Sequence, residues 1–263
     1  MCSAEAAEPT PLKVTMVVAH YKESLTWLAD VPLWVDIVVY NKELVSPTVY
    51  PKDRLVRFKN VPNVGRESDS YARFVLDFYD DMPDRVFFTQ ADPFPHCPRF
   101  WDLLRDPRTW EVPFHPFSLH YAHDRVPPAQ VLDSTGHAET RARLERMSCF
   151  TLNSIYFHDP GSLGFYTEYL KAHKLPVGTN VMAHHFQAIG LPDLLPPGTE
   201  LLNFSYGAIF ATTKERIRAH PREVYEAIQA RAQGNWSNGY VIERSWTALF
   251  APELALPPPV RFE

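Results

Sequence analysis

The chain of 263 residues has three cysteines, ten glycines and no excess of basic charge. Cys2, Cys97 and Cys149 are odd in number and far apart, with no metal-ligand spacing, which argues against a disulfide scaffold and for a reducing compartment. A formal net charge of -5 and a pI near 6.1 leave no basic stripe for displacing counterions, so duplex DNA or RNA is not an expected partner. No apolar run approaches the roughly 18 residues of a membrane span. The opening MCSAEAAEPTP is acidic and poor in apolar residues, unlike a secretory signal. A cytoplasmic protein is expected, and the sequon-like Asn203-Phe204-Ser205 is then accidental. No internal repeat or low-complexity linker marks a domain boundary, so residues 1–11 are expected to form a flexible tail and 12–263 a single α/β domain.

Residues 12–19 (LKVTMVVA), 35–40 (VDIVVY) and 85–89 (RVFFT) are short apolar runs, each followed by polar residues, as buried parallel strands are. A shorter strand is expected at 56–58. Between these runs, a helix is expected at 24–30 and another from Glu67 to Tyr79, where Tyr71, Phe74, Val75 and Phe78 recur at helical spacing. Strand, helix and strand in this order predict a mostly parallel, doubly wound sheet flanked by helices. The proline-rich stretch 93–130 predicts a long loop with one short helix at 98–105. Further helices are expected at 137–147, 160–173, 179–189, after Thr212 or Thr213, from Pro221, and at 238–250, with a strand over 201–211.

In such sheets ligands bind beyond the carboxyl ends of the strands. His20, Tyr21, Lys22 and Glu23 follow the first strand, Asn41 and Lys42 the second, and Gln90, Asp92 and His96 the RVFFT strand. Gly65 followed by Arg66 places a turn and a bidentate anion donor at a helix start, while Glu67 and Asp69 suit either helix-dipole compensation or a ligand hydroxyl or amine. Asp92 sits where a cation bridging a diphosphate would be held. Alone it is a weak ligand unless His96 or a histidine at 115, 120 or 123 helps. Gly207, beside Tyr206, is unusual in a strand unless something must approach closely. Glu243 lies in an otherwise apolar helix. It either pairs with Arg244 at the surface or faces the site with a raised pKa, fit to act as a base.

Five segments carry a resemblance: VVAHYKE, PNVGRESDSY, VFFTQADPFPH, YGAIFATTKERI and YVIERSW. They resemble a glycosyltransferase-like family catalogued mainly as a domain of unknown function. The resemblance implies a GT-A-like, Rossmann-like sheet, with Gln90-Ala91-Asp92 at the place of an Asp-x-Asp metal motif whose first acid is missing. The leading expectation is a group transferase with a nucleotide-activated donor. Arg66 and Lys42 would lie near the phosphates, Asp92 on a divalent Mn or Mg ion or a donor hydroxyl, and Glu243 would serve as base. His20, Tyr21, Asn41, Gly65, Glu67, Asp69, Gln90, His96, Tyr206 and Gly207 would line the donor and acceptor sites. One alternative is an enzyme that takes aminoacyl groups from tRNA to make an arginine-containing cyclodipeptide, with acids at 67, 69, 80, 81 and 92 receiving a cationic side chain. Another is a non-catalytic carbohydrate- or nucleotide-binding pseudoenzyme.

Overall fold

A computed structural model describes residues 12–43, 50–51, 53–117, 148–151, 160–199 and 201–255. The expected tail, the expected helix at 137–147, and Cys2, His120 and His123 lie outside them. The strands are β1 (Val14–His20), β2 (Val35–Asn41), β3 (Val56–Asn60), β4 (Arg85–Gln90), β5 (Phe114–Pro116), β6 (Ser148–Thr151), β7 (Leu201–Phe204) and β8 (Phe210–Thr213). The main sheet has the order β3-β2-β1-β4-β8-β5. Its first four strands are parallel and β8 runs antiparallel to β4. Helices flank both faces, so the chain has the single α/β, Rossmann-like architecture expected.

Alternation along the strands assigns the layers, because successive side chains point to opposite faces. Val17, Val38, Tyr40, Val86, Phe88 and Phe210 face one core, against α1 (Arg66–Phe78), α7 (Arg222–Gly234) and α8 (Trp236–Phe250). Met16, Val18, Ile37, Val39, Phe87 and Ile209 face the other, against Trp27, Trp110 and the short helices α2 (Phe100–Arg105) and α3 (Arg108–Glu111). Burial on both faces is why these strands are apolar throughout rather than alternating with polar residues. The second face carries little helix, and the 24–30 segment forms only a 3₁₀ turn at Thr26–Asp30.

The remaining helices are α4 (Pro160–His173), α5 (Val181–Ala188), α6 (Lys214–Arg218) and α9 (Pro252–Ala255). Thr213 caps α6 through the Arg216 amide, as its position suggested, and Pro221 precedes α7 rather than entering it. Asn235 caps α8 by accepting from the Ser237 amide, which starts this helix two residues before the expected 238.

Two further sequence expectations are corrected. The run 201–211 is not one strand: β7 pairs with β6 in a separate two-stranded sheet and β8 belongs to the main sheet. Between them the chain turns through a 3₁₀ segment at Tyr206–Ala208, with Gly207 at φ 67° and Ala208 at φ 52°. The apolar character of the run had concealed the break. In the described part of 93–130 there are two short helices and the edge strand β5, not one helix in a loop.

Candidate functional site

The carboxyl ends of the parallel strands are in register: His20 lies opposite Asn41, Asn41 opposite Asn60, and Ala19 opposite Gln90. The chain winds from β1 outward to β2 and β3, then returns to β4 on the other side of β1. That reversal opens a crevice between the ends of β1 and β4. A cleft of about 270 Å³ occupies it, lined by Ala19 and His20 of β1, Tyr21 and Glu23 just after it, Gln90 of β4, Lys42 and Asn63 from loops, and Arg66 and Glu67 at the start of α1.

The β1 side is held by short-range polar contacts. The two ring nitrogens of His20 lie 2.9 Å from Asn41 Oδ1 and 3.0 Å from Glu23 O. The Asn41 amide donates to Asn60 Oδ1 at 2.9 Å, tying β2 to β3. Asn41 therefore positions His20 from behind. Glu23 accepts from the amides of Tyr21 and Lys22, so its carboxylate stays at the rim.

The turn before α1 is the most constrained backbone in the cleft. Gly65 (φ 64°) and Arg66 (φ 50°) are consecutive left-handed residues. A Cβ on Gly65 would stand 2.7 Å from Asp69 Cβ and 3.0 Å from the Ala232 backbone, so only glycine fits. Arg66 in this region costs on the order of 1–2 kcal/mol. The Lys42 ammonium holds the turn by donating to Val64 O, Arg66 O and Asp69 Oδ2. Burial lowers the Lys42 pKa, and the neighbouring Asp69 opposes that shift. Asp69 also accepts from Arg73 at 2.8 Å and from Gln233 at 2.8 Å. Lys42 and Asp69 thus act as the clamp of the turn, with their charges spent on each other and on the backbone. Asp80, another acid considered for a cationic ligand, pairs with Arg222.

Glu67 points inward at the head of α1 and is 8 % exposed. Its pKa is raised, first by burial and then by the Glu243 charge, while Arg66 works against the shift. The Arg66 Nε lies 3.7 Å from Glu67 Oε2 and the rest of its side chain reaches solvent. Beneath Glu67, fully buried Tyr71 donates to Ala208 O at 3.1 Å. Burial and the Glu67 and Glu243 charges push its pKa well up.

The 3₁₀ turn closes the arrangement from the C-terminal half. Gly207 N–H donates to Glu243 Oε1 at 2.9 Å and Gly207 O accepts from Gln90 Nε2 at 3.0 Å. A Cβ there would stand 3.2 Å from the His96 ring. This explains a glycine in an apolar run: backbone and ring must approach each other. Tyr206 meets His96 edge-on, and burial lowers the His96 pKa while Glu243 and Asp92 oppose it. Glu243 is paired with Arg244 at 3.3 Å, as one sequence reading expected, but the pair is part-buried rather than at the surface. Arg244 in turn stacks on Tyr240.

The structure brings His20, Tyr21, Lys42, Arg66, Glu67 and Gln90 to the cleft wall. Asn41, Gly65, Asp69, His96, Tyr206, Gly207 and Glu243 form its supports. Asp92 is exposed and outside this wall. Glu23 and Asn63 line the cleft, although the sequence reading did not place them among the candidate site residues; Glu23 lay in the polar run after β1, and the turn sequence had drawn attention to its glycine rather than to Asn63. The expected metal position is poorly furnished: Ala91 is buried, the Gln90 amide is committed to Gly207, and among the described residues no group of three or more His, Cys, Asp or Glu side chains is placed to hold a metal ion.

A family model described as a protein of unknown function (DUF3431) matches residues 16–260. The chain belongs to this family. No curated protein and no solved structure matches it. The match includes both halves of the site, from His20 to Glu243. Among the described residues, no helix is long and apolar enough to cross a membrane.

Proposed function

We propose that the chain is a group transferase that takes an activated group from a nucleotide-borne donor and delivers it to a small acceptor held in the cleft. The observation that carries this reading is the pair of carboxylates from opposite ends of the sequence, Glu67 on the wall and Glu243 behind it, at the switch point of the sheet. A carboxyl whose proton affinity is raised in this way is suited to proton transfer nearer neutral pH. The acceptor's nucleophile attacks the activated carbon of the donor and gives its proton to Glu67. The bond to the carrier breaks, and the carrier leaves with the electron pair. Glu243, fixed by the Gly207 amide and Arg244, is a positioning residue whose charge adds to the effect of burial on the proton affinity of Glu67. This assignment moves the base from Glu243 to Glu67, which is the one that reaches the cleft.

A second reading is favoured by the charge of the wall. Glu23 and Glu67 contribute two carboxylates, whereas Lys42 is consumed by the turn and Arg66 is the remaining cation of the lining. That balance suits an acceptor or donor group bearing an amine or guanidinium, as in transfer of a cationic aminoacyl group from tRNA. Thermal-shift measurements with sugar nucleotides, with and without manganese, beside an assay consuming charged tRNA, separate the two donors. With the productive donor, Glu67→Gln is expected to lower turnover by about 10²–10⁴-fold with little change in donor binding. Undiminished turnover in that variant removes Glu67 from the chemistry.

A further inference from the structure

Outside the cleft, α4, α5, α7 and the first turn of α8 bring together Tyr169, His173, His184, His185, Arg231 and Asn238. The hydrogen-bond directions in this cluster can be followed from donor to acceptor. Arg231 Nη2 donates to Tyr169 Oη at 2.7 Å, so the single Tyr169 proton goes to His184 Nδ1 at 2.8 Å. Arg231 Nε donates to His185 Nδ1 at 3.3 Å. Asn238 Nδ2 donates to Arg231 O at 2.7 Å, which leaves its Oδ1 to accept from His173 Nε2 at 2.7 Å. In neutral His184 the remaining proton therefore sits on Nε2, with no acceptor among the described residues, and Arg231 Nη1 likewise has none. The His173 and His184 rings are 5.0 Å apart and both are partly exposed, as is Arg231.

Among the described residues, no carboxylate is paired with this group. The charges that bear on His184 and His185 are those of Arg231 and neighbouring histidines, all unfavourable to protonation. Glu168, the acid of α4 next to Tyr169, pairs with Lys171. A guanidinium with a spare edge beside two accessible imidazoles, with no anion, is an incomplete arrangement that phosphate oxygens complete. The cluster also adjoins the rim of the cleft: Asn238 precedes Gly239, where an added Cβ would stand 3.5 Å from the Arg66 Cδ.

We propose that Arg231, His184 and His173 form a phosphate-binding site, with Arg231 Nη1 and His184 Nε2 donating to phosphate oxygens and the His173 ring beside them. This goes beyond the transfer reading, and binding is measured without turnover, so either can fail alone. Burial and then the Arg231 charge lower the His184 pKa, and a bound phosphate supplies a negative charge that favours its protonated form. Binding should therefore tighten as the pH falls from 8 to 6.

The test is calorimetric titration of the full chain with pyrophosphate and, separately, with a short oligoribonucleotide, alongside NMR of the histidine Cε1 protons. Arg231→Gln is expected to weaken binding about tenfold or more, and His184→Gln several-fold. Because Arg231 also supports Tyr169 and His185, its variant could unfold, so His184→Gln, at a partly exposed position, serves as the second probe. Comparable affinity for both ligands identifies a free phosphate compound, and at least tenfold preference for the oligonucleotide identifies a phosphodiester backbone. Either result with loss in the variants supports the site. Absence of binding to both ligands at pH 6, or binding unchanged in a folded His184→Gln protein, overturns it.

Discussion

Glu67 shows how a single side chain can oppose stability while serving a site. Its folded pKa is raised above the unfolded value, chiefly by burial. The native state therefore holds the proton more tightly, and stability is greatest below the unfolded pKa and declines as pH rises through the folded pKa. Glu67→Gln removes that penalty while keeping the shape. Its melting temperature is expected to exceed that of the wild type at pH 8, and the difference should shrink as the pH is lowered towards 4. A variant less stable than wild type at pH 8 would mean that the charged carboxylate is satisfied in the fold. The sequence singled out Glu67 only as one of two acids in a first turn, where helix-dipole compensation explains them equally well. What separates Glu67 from Asp69 is the set of partners each meets: Asp69 finds Lys42, Arg73 and Gln233, whereas Glu67 has the more exposed Arg66 at 3.7 Å and, against it, another carboxylate.

The scale of the element is set by the turn into α1. Its two left-handed residues persist because Lys42, from the end of β2, holds the carbonyls on either side of Gly65. Lys42→Met removes the donor to those part-buried carbonyls and leaves Asp69 with one cation fewer. It is expected to cost about 2–4 kcal/mol in denaturant unfolding and to loosen Arg66 at the cleft rim. Gly65→Ala should destabilise by at least about 2 kcal/mol, since both the backbone conformation and the space forbid the methyl group. Gly164→Ala is the matched control. It lies within α4 with nothing within 4 Å of the added Cβ, and should gain up to about 1 kcal/mol through helix propensity alone. Equal effects from the two substitutions would show that the turn is not under the constraint described. The element most misread from sequence, 201–211, failed for a related reason: buried strands and a buried turn between two strands are equally apolar, and only Gly207 interrupts the run.

On the scale of the whole molecule, β1 and β4 are the centre of the sheet, each hydrogen-bonded on both sides and covered on both faces. Their amides are expected to exchange with solvent only on global unfolding, while those of β3 and β5, at the two edges, exchange through smaller openings. Hydrogen exchange of β4 as fast as that of β3 would contradict this order. The sequence by itself determined the parallel half of the fold, because unbroken apolar runs at strand length can be buried only in a sheet covered on both sides. It also determined the end of that sheet at which the cleft lies, because each run closes in polar residues. It could not determine that β8 would cross the sheet antiparallel beside β4, or that the chain between β7 and β8 would turn so as to hang Gly207 between Gln90 and Glu243. Residues 67 and 243 are brought together by that packing of α1 against α8 and the 3₁₀ turn, and no local pattern encodes a contact between side chains so far apart in the chain. The same holds for Arg231 and its histidines, which come together only where four helices meet.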